Sequence, residues 1–342
     1  MMKKSLLLVV ALMVSFGIFA QDEAPAPKMG WEKGAGLGLD LAQLLIYNPK
    51  NGAGENKIGV GGAINYFANY KNGRLAWDNL ASLSLGVQRL GQGLSTITGT
   101  VAGTKVPWQK SVDELRFNSK AGYATSENSK WFYAADLSFL SQLLPTYAGN
   151  YLSDPLGKDG NSPISKLFSP ATITFGVGMD YKHSDNLSFY LSPITLKAII
   201  VSDDVIANMQ AVDDKGVGTG ASIHGNPWRA IGDFDNTSIG VGALARVVYL
   251  KKLWNDRILW KSNLSLFTDY KNNPFKEIDV DWNNEFGVEI FKGLSLTMLA
   301  NLFYDDDVPV QITDFNAPNG VAGMGKRASI TEQILLKYTT TF

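Results

Sequence analysis

Residues 57–70 read KIGVGGAINYFANY, and their order decides the fold. The even positions carry Ile58, Val60, Gly62, Ile64, Tyr66, Ala68 and Tyr70. The odd positions carry Lys57, Gly59, Gly61, Ala63, Asn65, Phe67 and Asn69. A strand sends successive side chains to opposite faces, so this period of two marks a strand with one apolar face. Lys71-Asn72-Gly73 follows. Asn-Gly tolerates the positive φ values of a tight hairpin turn, so the next strand folds back at once.

The same alternation recurs outward from this hairpin. In 113–124, Leu115, Phe117, Ala121 and Tyr123 share one face, and Glu114, Arg116, Asn118 and Lys120 share the other. After the turn Thr125-Ser126-Glu127-Asn128, Trp131, Tyr133, Ala135, Leu137 and Phe139 alternate with Lys130, Phe132, Ala134, Asp136 and Ser138. Twelve such segments span 31–47, 56–70, 74–91, 107–124, 130–145, 170–183, 186–201, 236–251, 257–271, 276–291, 293–305 and 327–342. Many run about 15 residues, against the ~5–6 of an ordinary strand. Long tilted strands suit a membrane barrel. The connections alternate as well: from 48–55 onward every second one is long, 272–275 excepted, and those between are short. Short turns at one rim and long loops at the other are expected of an outer-membrane barrel. A Greek-key sandwich has no cause to alternate loop lengths. Ser192-Pro193 breaks the alternation, since Leu187, Phe189 and Leu191 have one parity and Leu196, Ala198 and Ile200 the other. A bulge at Pro193 restores the facing. The fold expected is all-β: a transmembrane, antiparallel, up-and-down β-barrel of 12 strands over 31–342, with both termini at the short-turn rim.

Alternation does not say which face meets water, because a membrane barrel inverts a soluble one. Three observations favour the membrane. Tyr66, Tyr70, Tyr123, Trp131, Tyr133, Tyr181 and Tyr249 cluster toward the short turns, where an interfacial aromatic girdle belongs. The last strand carries Ile334, Leu336, Tyr338, Thr340 and Phe342 on one face and ends on Phe342. That pair, Tyr338 and Phe342, resembles the targeting signal read by the β-barrel assembly machinery. Finally, Glu277, Asp279, Asp281, Glu285 and Glu289 fall on one strand face opposite Ile278, Val280, Trp282, Phe286, Val288 and Ile290. Those acids need water or basic partners, which a polar lumen offers and lipid does not.

Composition removes other classes. Lys and Arg number 31 against 32 Asp and Glu, which leaves no electrostatic case for nucleic acid. The absence of Cys excludes a disulfide scaffold, a zinc ribbon, a thiol nucleophile and a lipidated N-terminal Cys. Met1-Met2-Lys3-Lys4, the apolar run Leu6 to Ala20, and the following Asp22, Glu23, Pro25 and Pro27 describe a secretory signal peptide over 1–20. A periplasmic segment 21–30 then leads into the barrel. The expected location is the outer membrane of a Gram-negative bacterium, with lipid as the surrounding partner.

Several stretches resemble a Bacteroidota family of outer-membrane proteins known only as a domain of unknown function. They are Asp113-Glu114-Leu115-Arg116-Phe117-Asn118-Ser119-Lys120-Ala121-Gly122-Tyr123 with Trp131-Phe132-Tyr133-Ala134-Ala135, Ser169-Pro170-Ala171 leading to Gly178-Met179-Asp180-Tyr181-Lys182, and Tyr190-Leu191-Ser192-Pro193-Ile194-Thr195. Asp279-Val280-Asp281-Trp282 and Tyr304-Asp305-Asp306-Asp307 fit as well. The chain departs from the pattern after Phe139, where Ser141-Gln142-Leu143 and Thr146-Tyr147 stand in place of Thr-Gln-Phe and Gly-Tyr. The resemblance implies a barrel and a membrane but no activity and no catalytic residues.

Chemistry is sparse. No HExxH, P-loop, EF-hand or zinc spacing is present, and no cofactor is expected. Ser222, His224 and Asn226 form a hydrolase-like set, but the alternative is a polar tip on a mobile loop, a poor support for catalysis. Asp305-Asp306-Asp307 with Asp314 has the oxygen donors for Ca²⁺, against the plainer reading of a solvated acidic loop. The lumen is the leading candidate. Arg116, Lys120, Lys197, Arg246 and Lys261 fall on inward faces opposite the acidic strand. If acids and bases cross-link, the interior is an ion-paired plug; if they segregate, it is a polar channel. Twelve strands fit either outcome. A narrow channel for a small solute or ion is the expected function. A structural or assembly partner with a plugged interior is the alternative, and a lipid hydrolase a distant third.

Overall fold

A computed structural model describes residues 29–44, 56–91, 100–101, 104–105, 107–154, 156–157, 160–184, 186–213, 215–230, 233–271, 278–313 and 321–341. The segment read as a leader, 1–20, together with residues 21–28, Glu277, Asp314 and Phe342, lies outside the described residues.

Twelve strands close into one antiparallel barrel, each paired with its neighbours in chain order and the last with the first. They are β1 (Gly30–Leu44), β2 (Asn56–Asn72), β3 (Leu75–Gly91), β4 (Gln109–Ala124), β5 (Trp131–Ser141) and β6 (Ala171–Ser184). The second half comprises β7 (Leu187–Ile200), β8 (Thr237–Leu253), β9 (Ile258–Asp269), β10 (Asp279–Phe291), β11 (Leu294–Tyr304) and β12 (Ser329–Thr341). All twelve expected strands are present, with ends shifted by a few residues. Among the described residues the closing seam is short: it runs from Gly36↔Thr341 to Asp40↔Lys337, whereas every other neighbouring pair shares ten or more.

The burial pattern is inverted relative to a soluble protein. Asp180 is 1% exposed, and Asp136, Thr195 and Thr297 are buried with it, while Ile330 is 74% exposed and Leu191, Ile194, Ile239 and Ile334 stand out on the barrel exterior. An apolar belt of that size is costly in water, so the exterior is built for lipid. Aromatic rings gather at the short-turn rim: Trp31 lies 5.2 Å from Tyr70 and 5.7 Å from Trp77, Trp131 lies 4.7 Å from Tyr181, and Tyr249 lies 4.9 Å from Trp260. Outward indoles do not leave their N–H bare. Trp77 donates to Ser119 Oγ and Trp282 to Ser262 Oγ, each at 2.9 Å on a neighbouring strand.

Two local readings are refined. The first hairpin turns at Gly73-Arg74, one residue later than Asn72-Gly73, because Asn72 pairs with Leu75 as the last rung. Gly73 takes the positive φ of 53° at the first turn position. Arg74 then stacks on Tyr123 at 4.5 Å and donates to the Ala124 and Thr125 carbonyls, tying this turn to the next. At Pro193 the register slips as expected: Val177 faces Ile194 but Met179 faces Leu191, so β7 holds one extra residue. Ser192 Oγ donates to the Val177 and Ile194 carbonyls across the bulge, and the Tyr270 hydroxyl donates to the Pro193 carbonyl.

The long loop between β7 and β8 carries secondary structure among its described residues. It holds the short helix α1 (Asp204–Ala207) and the hairpins Gln210–Val212 with Gly218–Ser222 and Trp228–Ala230 with Asp233–Phe234. Asp203 caps α1 by accepting from the Val205 and Ile206 N–H groups at 2.9 and 3.0 Å. Val201, Ile206 and Ala207 form a small apolar core of its own.

Candidate functional site

Strand parity builds the lumen wall. Outward on β10, Trp282, Phe286 and Ile290 are exposed; the alternating residues Asp279, Asp281 and Glu285 face the interior. The interior charges cross-link. Lys197 on β7 places Nζ 2.8 Å from Asp279 on β10 and 2.7 Å from Asp305 beyond the end of β11. Arg246 on β8 reaches Asp136 on β5 at 2.7 Å, with its Nε donating to Ser265 Oγ. Lys120 on β4 meets Asp180 on β6 at 3.0 Å. Lys261 and Lys337 both hold Glu285, at 3.2 and 2.7 Å. Arg116 is forked onto Glu114 of its own strand, with Nε 3.0 Å from Oε1 and Nη2 3.2 Å from Oε2. Because β5 and β8 are separated by two strands, as are β7 and β10, the Arg246–Asp136 and Lys197–Asp279 pairs are chords across the lumen. Burying these charges is tolerable only because each meets a partner.

Two of the five acids singled out in the sequence stand apart from these braces. Asp281 accepts from Asn283 Nδ2 at 2.6 Å and carries no salt bridge. Glu289 is exposed at the short-turn end and accepts the Gly293 N–H at 2.9 Å, so it closes a turn. Glu277 and Phe342 lie outside the described residues, and Tyr338 is exposed on the outer face of β12. The braces also use Glu114, Asp136, Asp180, Asp305 and Lys337, which the sequence reading did not name as lumen charges. Parity alone would have placed Glu114, Asp136 and Lys337 inward. No sequence signal names a partner three strands away.

The braces divide the interior into two cavities. One, of about 290 Å³, lies toward the long loops and is lined by Arg116, Lys197, Leu244, Phe267 and Asp281 among others, with Pro170, His224 and Val308 from the loops above. The other, of about 1560 Å³, opens at the short-turn rim among Lys130, Phe132, Lys182, His183 and Ser184. Asn118, Arg246 and Asn263 line both. Side chains, not backbone, therefore separate them.

The loops form a lid over the smaller cavity. His224 donates from Nε2 to the Ile164 carbonyl at 2.9 Å, and Lys166 pairs with Asp203. Ser222 Oγ accepts from the Asn226 N–H, and Asn226 Nδ2 donates to the Asp235 carbonyl. The hydrolase-like set is thus engaged in holding the loop, with His224 and Ser222 each bound to backbone. The acidic run also diverges. Asp305 turns in to Lys197, while Asp306 accepts from Lys326 at 2.6 Å and from the Tyr304 hydroxyl. Among the described residues no three His, Cys, Asp or Glu side chains converge as a metal site.

Burial holds the His224 imidazole below its ordinary pKa, against the opposing pull of the Ile164 carbonyl. Folding therefore favours the neutral ring. The lid contact is at full strength above about pH 6.5, the value of a free imidazole, and weakens as pH falls toward the depressed folded value. The protection factors of the 201–236 loop amides, taken against the intrinsic exchange rate at each pH, should fall between pH 7 and pH 5, and His224→Phe should flatten that dependence. A wild-type loop whose protection is constant over this range would contradict the assignment.

A closed barrel with an apolar exterior and a braced, cavity-bearing interior is, as a class, a membrane-spanning β-barrel. By sequence, the family described as "Protein of unknown function (DUF3078)" matches residues 43–147, which covers the stretches at 113–123 and 131–135 but not the later ones. No curated protein matches the chain. Among solved structures, the chain is similar to the COG4313 outer membrane channel from Pseudomonas putida F1, with 11% identity and a TM-score of 0.38 over 95% of this chain and 100% of that one. It is also similar to the translocator domain of the autotransporter NalP from Neisseria meningitidis, with 11% identity and a TM-score of 0.32 over 98% and 94%. A Pseudomonas aeruginosa FadL homologue is similar at 10% identity and a TM-score of 0.29 over 92% and 75%. Likenesses this distant leave the site to be read from the chain's own residues.

Proposed function

We propose that the chain is an outer-membrane barrel, exported through its leader and inserted by the β-barrel assembly machinery, that passes a small solute through a lumen shut at rest. The observation that carries this reading is the pair of cavities sharing Asn118, Arg246 and Asn263. Arg246, held by Asp136, stands at the boundary with Asn118 and Asn263, and side chains move far faster than backbone. The lid at the outer side is a second barrier, held by single contacts such as His224 to Ile164.

The braces themselves favour a second reading, a rigid, plugged barrel serving as a structural or assembly partner at the cell surface. Single-channel recording separates the two. With a side-chain plug, the wild-type barrel in a planar bilayer conducts rarely or not at all, and Arg246→Ser with Asp136→Ser raises open probability at least tenfold. A double variant that inserts correctly and stays silent would favour the structural role.

A further inference from the structure

We propose that the smaller cavity is a binding chamber for a small organic ammonium with an apolar body, which rests on the reading of the lumen as a solute path and names its solute class. The argument is one of charge and unfilled hydrogen bonds. Three cations face this chamber, Arg116, Lys197 and Arg246. Each is already held: Arg116 by Glu114, Lys197 by both Asp279 and Asp305, and Arg246 by Asp136. The lining carries three carboxylates, Asp279, Asp281 and Asp305, beside these three cations, and Arg116 and Arg246 bring their own acids, Glu114 and Asp136, from outside it. The carboxylate left without a salt bridge is Asp281, which accepts from the Asn283 amide on one oxygen. Arg116, on the same chamber wall, has its guanidinium forked onto Glu114.

A second acceptor points the same way. Asn263 Oδ1 is buried and receives no hydrogen bond. Asn263 lies on β9 opposite Asn283, and Ser265 lies opposite Asp281, so Asn263 and Asp281 are diagonal neighbours on the same inner wall. An ammonium carries three donors and a positive charge, which suits the carboxylate and, once the Asn263 amide turns toward the chamber, its orphan carbonyl as well. A carboxylate or phosphate finds no unengaged cation here. The remainder of the lining supplies an apolar bed, with Leu140, Ile199 and Leu244 beside Phe267, whose ring is already under Lys197 at 5.4 Å. A volume of about 290 Å³ sits at the small end of ligand sites, suited to a compact amine.

Calorimetry on the full barrel in detergent at neutral pH tests this with phenethylamine, protonated there, against phenylacetate, its anionic match in size. Phenethylamine should bind with one site per barrel, and phenylacetate at least tenfold more weakly. Asp281→Asn should cut amine affinity at least tenfold, with the fold checked by heat-modifiable gel mobility. Asn263→Ala, which leaves the charge intact, should cut it severalfold. Equal binding of the anion, or amine binding unaltered in Asp281→Asn, would overturn the proposal, as would an absence of amine binding to wild type. Binding of calcium without the amine would assign the chamber to an inorganic cation and overturn it as well. Bilayer silence of the brace variant bears on the channel reading alone, so the two can fail separately.

Discussion

Arg246→Ser alone lowers the stability of the barrel by about 3–5 kcal/mol, the usual cost of stranding one member of a buried ion pair. Asp136 is 2% exposed, and its Oδ1 takes the 2.7 Å bond from Arg246. Without the guanidinium that carboxylate remains in a low-dielectric interior with nothing of opposite charge on it. Lys120 is committed to Asp180 in the same layer. Removing both partners is gentler, because no charge is left behind. The double variant Arg246→Ser with Asp136→Ser should therefore be more stable than Arg246→Ser, although it deletes more contacts. Urea unfolding of the two variants in the same lipid or detergent checks the order. A double variant less stable than the single would show that the pair does not act as a unit.

Gly178→Ala has the second large effect, a loss of about 3 kcal/mol or more, at the upper end of what overpacking costs. A Cβ at this position would sit 2.0 Å from the Leu191 carbonyl oxygen and 2.7 Å from Ser192 Cα, both backbone atoms fixed by the Pro193 bulge. The bulge presses β7 against β6 where Val177 and Met179 straddle the register slip, so no side-chain rotation relieves the clash. Gly122→Ala is the matched control. Its Cβ would meet Phe132 side-chain atoms no nearer than 3.5 Å, an ordinary contact. The heat-modifiable fraction on unboiled gels should collapse for Gly178→Ala and remain for Gly122→Ala. Equal behaviour of the two would count against the close approach at the bulge.

The architecture was legible because period-two alternation and loop length are one-dimensional signals. The 57–70 stretch and its turn fixed the first hairpin to within one residue, and parity at Ser192-Pro193 located the bulge. The same parity picks out Lys197, Arg246, Asp279 and Glu285, the residues that meet in the braces. What the alternation could not carry is the chord. That Arg246 meets Asp136, 110 positions away, depends on barrel diameter and tilt. Asp305 was read in an acidic loop run, yet it turns inward because Lys197 is there to meet it. The elements within the long loop between β7 and β8 were not legible, because the small core of Val201, Ile206 and Ala207 is too short to show a period.

Because the native chain contains no Cys, one introduced thiol reports its site without background. Ser188→Cys lines the cavity that opens at the short-turn rim, and Ser138→Cys lines the chamber beyond the braces. In vesicles with the short-turn rim accessible, a membrane-impermeant thiol reagent should modify Ser188→Cys rapidly. Ser138→Cys should react at least tenfold more slowly, and should approach the Ser188→Cys rate once Arg246→Ser and Asp136→Ser remove the brace. That result would establish a lumen closed by side chains alone. Ser138→Cys reacting as fast as Ser188→Cys with the brace intact would mean that the Arg246–Asp136 layer closes nothing.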